Sequence, residues 1–524
     1  MAILFSLIPL ALLFTLMLGL KLSGYLSAVI TLVISIIIAL VVAPSLGMLP
    51  PSLQDYSIFE IVAWSTIEGF LKALFPIFLI ILMAIFSYNI MVESGQIELI
   101  KRQFLMLTDD SGILVLLMVW GFGGLLEGMA GFGTAVAIPA SILIGLGFKP
   151  FFSAIVSLLG NTVATGFGAL GVPMITLCNE SVAGGNASPA IITEVSAFSI
   201  IQLSPLFFLI PFLILTLTNR KAWRKNILLT LWVGSVSLII QFLSALYIGA
   251  EAPAILGSIA AIIALIIAAK CMKKNQSVNS DKISFGEAFK AWSVYILILA
   301  FVLISGPLCP PVNNFLRSHL VSSIHLPVLD TTFKFGWISN AAFLILIGSL
   351  IGGFIQGLSL KKLSVLLCTT LYNLRLTALT ILSLIILASV MNYSGMINSI
   401  SLGLVTATGS FYPFFAPLVG AIGTFVTGSD TSSNILFAKL QVSMASNLDM
   451  TGNFNFAGIE GTQSNWLLAA NTTGATGGKM ISPQNIAIAA GACSLKGEDN
   501  KILRAALPYA AIYVLIGGLI VYLV

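Results

Sequence analysis

Residues 127–134 read EGMAGFGT and residues 427–434 read TGSDTSSN, and both stretches interrupt long apolar runs with glycine and polar side chains. A second interruption follows each of them, at residues 161–173 in the first case and at residues 471–483 in the second. Each of these begins with Asn-Thr and ends with Pro. Paired glycine-rich breaks in apolar segments are the best sequence indication of a binding site in a membrane protein.

The composition places the rest of the chain in a lipid bilayer. Of 524 residues, 58% are hydrophobic and 8% are charged, and the mean hydropathy is +1.06. A water-soluble fold of this composition would lack polar side chains for its surface. Apolar runs of about 17–25 residues, the length that crosses a hydrocarbon core as a helix, recur along the chain. They lack strand-like alternation, so the sequence predicts an all-α polytopic membrane protein.

The charges and cysteines exclude several other classes of protein. The net charge of +5 is small and lies in the predicted loops, so nucleic acid is not an expected partner. The five cysteines are scattered without paired spacing, which argues against a disulfide framework and against a metal site. No metal or other cofactor is expected.

The apolar runs predict about 12 crossings of the membrane, the first of them a retained span with no basic region before it. Two further segments, 111–148 and 408–447, are long enough to enter the membrane and return, so they are predicted re-entrant hairpins. Most lysines and arginines then fall in loops on one side, which is expected to be cytoplasmic, and both termini lie outside. The crossings are expected near residues 1–20, 24–44, 58–92, 151–178, 192–217, 226–248, 252–270, 288–307, 335–358, 364–392, 464–490 and 506–524.

The matching breaks predict a duplicated unit. Gly128 and Gly428 are 300 residues apart, whereas Pro173 and Pro483 are 310 apart, and a polar insertion at 453–462 accounts for the difference. An odd number of crossings separates equivalent points, so the second copy is inverted, as in many secondary transporters. The alternative is that these glycines only allow helices to pack closely. The predicted units are N-terminal spans 1–57, a first repeat 58–220 with broken helix 151–178, intervening spans 221–358, and a second repeat 359–524 with broken helix 464–490.

Unwound backbone is predicted at 128–133, 161–171, 428–433 and 471–478. At membrane depth such backbone is tolerated only where it is buried in protein or lines a cavity. The start of a half-helix favours an anion such as a carboxylate. For any single Ser or Thr the alternative is a hydroxyl bonded back to its own helix. The residues predicted to bind substrate are Gly131, Gly133, Thr134, Asn161, Thr162, Ser429, Thr431, Ser432, Ser433, Asn471, Thr472 and Lys479.

Ionisable side chains within membrane spans are costly and are treated as functional candidates. Lys479 is expected to bind a substrate carboxylate, and Glu127 or Asp430 is expected to carry a coupling proton. The alternative for Lys479 is a structural ion pair with one of these acids. Arg375 is expected to extend to the cytoplasmic surface.

Three further charges, Glu60, Glu68 and Lys72, precede Pro76 at spacings that fit one polar face of a helix. An interfacial or amphipathic helix is the simplest interpretation of such a face.

The four breaks resemble the motifs of the L-lactate permease family: EGMAGFGT at 127–134, GNT with FGALGVP within 160–173, TGSDTSSN at 427–434, and ANT with GKMISPQN within 470–485. The resemblance implies a multi-pass protein of the bacterial cytoplasmic membrane that imports L-lactate, and often D-lactate and glycolate, together with a proton. It also implies hairpin tips at the first and third motifs, an elevator-like mechanism and a possible homodimer, as in the ion transporter superfamily. Position 430 varies between Asp and Asn in the family, which makes Glu127 the first choice of proton carrier.

Two alternatives to proton symport remain open. A sodium-coupled carboxylate transporter is one, because Asn-Thr breaks with free carbonyls also suit a sodium ion. A membrane-embedded enzyme is the more remote one, since it needs acid, base or metal-binding side chains that converge at one depth. The expectation is therefore a transporter and not an enzyme.

Overall fold

The computed structural model describes residues 1–20, 22–105, 108, 110–129, 131, 133–272, 284–305, 309–495 and 498–524. These residues form a mostly helical protein with two short β-hairpins. The helices of the first part of the chain are α1 Ala2–Phe14, α2 Gly24–Ser45, α3 Ile58–Lys72, α4 Leu79–Glu93, α5 Gln96–Leu105, α6 Ser111–Leu116, α7 Gly123–Met129, α8 Thr134–Gly145, α9 Pro150–Gly160, α10 Gly168–Ser181, α11 Pro189–Leu203 and α12 Leu206–Thr218.

The remaining elements follow in the same way. They are α13 Trp223–Tyr247, α14 Pro253–Met272, α15 Phe285–Ser305, α16 Pro310–Ser318, β1 Val321–Leu326, β2 Thr331–Gly336, α17 Ala341–Ile355, α18 Leu360–Asn373, α19 Arg375–Tyr393, α20 Met396–Thr408, α21 Tyr412–Thr427, α22 Asp430–Asn447, β3 Asn453–Phe456, β4 Ile459–Thr462, α23 Gln463–Gly478, α24 Pro483–Ala492 and α25 Asp499–Leu523.

The strands correct the prediction of a purely helical chain. β1 pairs antiparallel with β2, and β3 pairs antiparallel with β4. The crossing predicted at 335–358 starts inside β2, and its helix begins only at Ala341, where Asn340 caps the backbone. The polar insertion predicted at 453–462 is the β3–β4 hairpin.

Among the described residues, eight helices are long and apolar enough to cross a membrane, and up to ten if each bent pair is one span. The bent pairs are α9 with α10, at 46°, and α11 with α12, at 43°. The sequence predicted about 12 crossings, and part of that difference comes from shorter apolar helices such as α17. The number of spans makes the chain a multi-pass membrane protein.

One order of elements occurs twice along the chain. It comprises an interrupted long helix (α3–α4, then α18–α19), one helix (α5, then α20), a helical hairpin (α6–α8, then α21–α22) and a two-part helix (α9–α10, then α23–α24). The arms of the second hairpin run antiparallel, because the Ser433 hydroxyl donates to the Gly420 carbonyl at 2.7 Å while the Tyr412 hydroxyl donates to Gln441 Oε1 at 2.9 Å. The β3–β4 hairpin lies between the second hairpin and α23.

The fourth predicted break is displaced along the chain, because residues 471–478 are helical and α23 continues to Gly478. Its glycines serve close packing instead. A Cβ atom at Gly474 would lie 1.6 Å from the Pro417 carbonyl oxygen, and one at Gly478 would lie 2.2 Å from that of Ala421. The break falls at residues 479–482, because the residue before Pro483 is extended, with ψ of 135°.

The third predicted break is shorter than 428–433. Gly428 adopts a left-handed conformation with φ of 74°, Ser429 is extended, and α22 begins at Asp430. Glycine suits this turn because its φ is positive. The Ser429 side chain then accepts a hydrogen bond from the Ser432 amide and caps the helix.

The interpretation of Glu68 and Lys72 as an interfacial face is wrong. Both side chains are buried, and Lys72 Nζ lies 3.0 Å from Glu68 Oε1 and 3.8 Å from Glu180 Oε2. Sequence spacing within α3 gave no sign of the distant acid on α10. Glu60 is the capping-box residue at the start of α3. Arg375 is exposed and lies over the Tyr372 ring, at 3.8 Å from its centroid.

Candidate functional site

A cavity of about 500 Å³ lies where both helical hairpins and both two-part helices meet. Its wall includes the two hairpin tips, at Gly131 with Gly133 and at residues 426–432. Side chains next to the two breaks complete that part of the wall. The rest of the wall comes from the end of α1 and the segment after it, the start of α2, Ile81 on α4 and residues of α19.

Glu127 and Lys479 form a buried ion pair in the cavity wall. Lys479 Nζ donates to Glu127 Oε1 at 2.7 Å, and the two side chains are 9% and 3% exposed, respectively. Glu127 lies in the last turn of α7, where a negative charge is unfavourable for the helix dipole, so it depends on the lysine. Lys479 follows α23, where a positive charge is favourable. The pair therefore joins the first hairpin to the second two-part helix.

The backbone around Gly168 supports the position of Glu127. A Cβ atom at Gly168 would lie 2.7 Å from Glu127 Oε1, so a larger side chain would displace the carboxylate. Ala169 and Leu170 follow with left-handed φ angles of 45° and 57°. Such values are strained for residues other than glycine, and strain of this kind concentrates at functional sites. Ala169 and Thr165 both line the cavity.

Asp430 is the second acid in the cavity wall. It is 3% exposed, and within the described part of the chain neither of its carboxylate oxygens has a hydrogen-bond partner. Its charged neighbours are Lys479 and Glu127, and the hydroxyls of Thr165 and Thr424 also lie close to its carboxylate. As the first residue of α22, Asp430 benefits from the positive end of the helix dipole. A buried carboxylate without a partner is available for a ligand or a proton.

The second hairpin tip is tied by Asn485 to the break at residues 479–482 in the second two-part helix. Its Nδ2 atom donates to the Gly428 carbonyl at 3.2 Å and to the Ser482 hydroxyl at 2.7 Å. Ser482 in turn caps the start of α24 by accepting from the Asn485 amide. The tip and the half-helix thus form one unit beside the cavity.

The predicted binding residues divide into two groups. Gly131, Gly133, Ser429, Thr431, Ser432 and Lys479 line the cavity, together with the predicted proton carriers Glu127 and Asp430. The structure places the others outside its wall: Thr134, Asn161, Thr162, Ser433, Asn471 and Thr472.

For most residues of the second group, hydrogen bonds within the protein explain why they do not line the cavity. Thr134 and Thr162 donate to carbonyls three residues earlier, as the alternative for single hydroxyls proposes. Asn471 donates to Asn434 Oδ1 at 2.8 Å, and Asn434 donates to the Thr472 hydroxyl at 2.9 Å.

Asn434 makes one more contact, to the Pro173 carbonyl at 2.9 Å, so this network connects the second hairpin to both two-part helices. Asn161 differs from the other residues of the group, since both atoms of its buried amide have no partner among the described residues.

Sequence reasoning missed part of the wall. Gln484 and Asn485 line the cavity and stand in the GKMISPQN motif, directly after the proline, so their position was a usable signal. Thr377, Thr380 and Tyr25 also line it. They lie in apolar helices far from the motifs, and the sequence carries no sign of their position.

The comparisons with known proteins concern the family of this chain and its fold. A sequence profile described as L-lactate permease matches residues 2–524. An L-lactate permease of Streptococcus iniae is 40% identical over 392 residues, which cover 73% of this chain and 81% of that protein. The glycolate permease GlcA of Escherichia coli strain K12 is 32% identical over 498 residues, covering 87% and 85%.

Among solved structures, the YdaH transporter of Alcanivorax borkumensis aligns with a TM-score of 0.52 over 95% of this chain and 98% of that chain. Its sequence identity is 13%, so the likeness concerns the fold alone. The profile match over nearly the whole chain and the identity to several permeases carry the assignment. The chain therefore belongs to the L-lactate permease family, and it is a multi-pass membrane transporter rather than an enzyme.

Proposed function

We propose that this protein imports L-lactate and related small 2-hydroxymonocarboxylates, including D-lactate and glycolate, across the cytoplasmic membrane by proton symport. The observation that carries the proposal is the buried Glu127–Lys479 ion pair in the wall of the cavity. Relatives described as L-lactate permeases and as a glycolate permease support this substrate class.

The ion pair supplies a simple form of coupling. A lactate carboxylate that binds Lys479 takes the place of Glu127 as the partner of the ammonium group. The Glu127 carboxylate is then left buried without a positive charge, a situation that costs several kcal/mol, on the order of 3–5. Protonation of Glu127 removes this cost. One proton therefore enters the site for each monocarboxylate, and the loaded site carries the same net charge as the empty one.

The rest of the wall supplies neutral hydrogen-bonding groups. Thr165, Ser429, Thr431 and Ser432 offer hydroxyls that fit the 2-hydroxyl group of the substrate. The start of α22 presents backbone amides and a positive dipole end near the same place. A small, polar, anionic solute matches this combination of groups.

The transport movement follows from the repeated order of elements. We propose that residues 58–220 and 359–524 are inverted repeats, with 1–57 and 221–358 as flanking and scaffold spans and both termini outside. The two hairpins are then re-entrant, and with the two-part helices they form a unit that moves like an elevator. The cavity supports this division in part, because residues at the end of α1 and at the start of α2, which belong to 1–57, line it together with the hairpin tips. A homodimer is the proposed assembly.

Sodium coupling is the second candidate, and the carboxylate of Asp430 favours it. Both oxygens of this buried group have no hydrogen-bond partner in the described part of the chain. Carboxylate oxygens with nearby hydroxyls and free carbonyls are suitable ligands for a hard cation. A sodium ion at Asp430 would then take the role that the proton has in the first proposal.

The test is uptake of labelled L-lactate into proteoliposomes under an imposed pH gradient, with and without sodium. For the native protein we expect uptake driven by the pH gradient and independent of sodium. Glu127→Gln should lose this proton dependence while lactate still exchanges across the membrane. Uptake that ignores the pH gradient and requires sodium would overturn the proton proposal in favour of the second candidate. Unchanged proton coupling in Glu127→Gln would remove Glu127 as the carrier.

A further inference from the structure

A second group of charges, three of them buried, lies away from the cavity. It consists of Glu68 and Lys72 on α3, Glu180 on α10 and Lys439 on α22. The side chains of Glu68, Lys72 and Glu180 are 1–3% exposed. None of the four residues lines the 500 Å³ cavity. Charges inside membrane helices are costly and are functional candidates by default, and the proposed lactate site makes no use of these.

The two acids of this cluster are held very differently. Glu68 has three partners: the Lys72 ammonium at 3.0 Å, the Ser389 hydroxyl, and the Tyr393 hydroxyl at 3.0 Å. Glu180 has only the longer contact of 3.8 Å between its Oε2 atom and Lys72 Nζ, and among the described residues its Oε1 atom has no hydrogen-bond partner. An ionised carboxylate at position 180 is therefore much less compensated than one at position 68.

A chain of polar contacts connects Glu180 to a second cavity. This cavity has a volume of about 430 Å³ and is lined by residues 47–53, by Leu329, by residues 392–398 in part, and by Ser443. Tyr393 is in its wall and also donates to Glu68, which contacts Lys72, which contacts Glu180. Tyrosine, carboxylate and ammonium groups in sequence are able to pass a proton. The last step, from Lys72 to Glu180, requires that their separation of 3.8 Å shortens to hydrogen-bond distance.

The position of Glu180 links this cluster to the lactate site. Glu180 lies seven residues after Pro173 on α10, and Pro173 lines the 500 Å³ cavity. Lys72 belongs to α3, which packs against α19. The Lys72–Glu180 contact therefore joins α10, a helix of the site, to the pair α3–α19. In the proposed movement α10 moves relative to this pair.

Several other charged or titratable groups surround Glu180 on the elements packed against α10. Lys439 on α22, Glu68 and Tyr393 lie within electrostatic range. Further away are Glu194 on α11 near Cys178, Glu93 at the exposed end of α4, Glu251 before α14, and, at the cavity end, Glu127, Asp430 and Lys479.

We propose that Glu180 is a second proton-exchanging carboxylate of the transporter, which holds α10 against α3 through Lys72 when ionised and releases α10 when protonated. This inference rests on the proposed lactate transport. The proton comes from water in the 430 Å³ cavity by way of Tyr393, Glu68 and Lys72, and it returns to water when the ion pair forms again. Along this path Lys72 gives a proton to Glu180 and takes one from Glu68, Glu68 takes one from Tyr393, and Tyr393 takes one from a hydronium ion in the cavity. All three relay groups therefore end in the protonation states in which they began, and Lys72 again has Glu68 as its partner.

The experiment compares the native protein with Glu180→Gln in proteoliposomes by two assays. The first is exchange of labelled against unlabelled L-lactate at equal pH on both sides, and the second is net uptake as a function of external pH. We expect exchange in Glu180→Gln to stay within about twofold of the native rate, while the increase of net uptake on acidification falls by about fivefold or more. Glu180→Asp, which keeps a carboxylate, should restore the pH dependence.

Asp110→Asn is the matched control, because it breaks an ion pair with Lys225 that is partly exposed and distant in sequence from the cluster. Both assays should be unchanged in this variant. An unaltered pH dependence in Glu180→Gln overturns the proposal. Failure of Glu180→Gln to fold also overturns it, since the neutral amide mimics the protonated acid that the cycle requires. Native protein without lactate exchange overturns the proposed function itself, whatever the variant does.

Discussion

The two two-part helices have similar sequences but different structures. In the first, the helix stops at Gly160, and the backbone passes through left-handed angles at residues 169–171 before α10 continues. In the second, α23 remains helical through all of its glycines and breaks only at residues 479–482. The same pattern of Asn-Thr, Gly and Pro therefore produces an unwound segment in the first two-part helix. In the second it produces a closely packed helix that breaks only near its end.

The difference teaches that a glycine has two separate uses in a membrane helix. In the second helix the neighbouring α21 approaches so closely that the Asn471 carbonyl oxygen lies 2.0 Å from where a Cβ atom at Gly420 would be. Such contact supplies packing energy and holds α23 straight. The first helix has alanine at position 164, which corresponds to Gly474 at the 310-residue offset. Without the equivalent glycine, the first helix lacks close packing at this position, and a close approach is found instead at Gly160, against the Val119 backbone.

The charge at position 479 is the largest asymmetry between the two breaks, since position 169 at the same offset is alanine. Lys479→Ala leaves the Glu127 carboxylate buried without a partner, so we expect a loss of stability of about 4 kcal/mol and a fall in lactate uptake of about 100-fold or more. Thermal unfolding in detergent and uptake by proteoliposomes measure these effects.

The double variant Glu127→Gln with Lys479→Ala separates the two effects. It should recover most of the lost stability, because no unpaired charge remains, but not the uptake. Lys501→Ala, which removes an exposed lysine paired with Glu498, is the control and should behave as the native protein does. Normal uptake by Lys479→Ala would show that the cavity binds the carboxylate elsewhere.

The packing role of the glycines in α23 predicts the next largest effect. Gly474→Ala places a methyl group against the Pro417 carbonyl and should lower stability by about 3 kcal/mol. Gly491→Ala in α24 is the matched control, since nothing lies within 4 Å of its Cβ position. That substitution should raise stability by about 0.5–1 kcal/mol through helix propensity. Equal melting temperatures for the two variants would contradict the packing explanation.

At the unwound break of the first two-part helix, we expect a substitution to change stability in the opposite direction. Ala169 has a left-handed φ of 45°, so Ala169→Gly should relieve strain and raise stability by about 1 kcal/mol. Ala164→Gly, in the same break but without a positive φ, should lower stability by about 0.5–1 kcal/mol. Chemical denaturation of the two variants measures the difference, and a loss of stability in Ala169→Gly would mean that the left-handed backbone is not strained.

The smallest expected effect concerns the late break of the second helix. Ser482 caps α24 and accepts from the side chain of Asn485, which holds the hairpin tip at Gly428. Ser482→Ala should lower stability by about 1 kcal/mol. It should also weaken lactate binding, since the tip loses support. Ser364→Ala, which removes an exposed hydroxyl bonded only to its own helix, should change neither quantity. Retention of the native melting temperature in Ser482→Ala would exclude a stabilising cap.

Local signals in the sequence predicted the turns of this fold well. Neighbouring residues in the chain determine the backbone conformation at three places: the glycine at 428, the breaks around 161–171 and the polar insertion at 453–462. The prediction of a break at 471–478 was wrong, because the contact that keeps this segment helical is with α21. The residues of α21 that make it are about 50 positions away in the chain.

The candidate site was partly predictable for the same reason. Glu127, Asp430 and Lys479 stood out as charges in apolar segments, and the alternative that Lys479 pairs with one of the acids describes its contact with Glu127. The contact between Lys72 and Glu180 could not be foreseen, because the two residues are 108 positions apart in the chain. The wall formed by α1, α2 and α19 also depends on tertiary packing alone.

The Glu127–Lys479 pair has a consequence for the history of the molecule. On the proposed duplication, position 127 corresponds to Thr427 and position 479 corresponds to Ala169. A homodimer of identical ancestral halves would carry both positions twice, with two symmetric pairs or none. A single pair requires that each half changes independently, which became possible only after the ancestral gene was duplicated. On this proposal, the acquisition of the single charge pair dates from after that duplication.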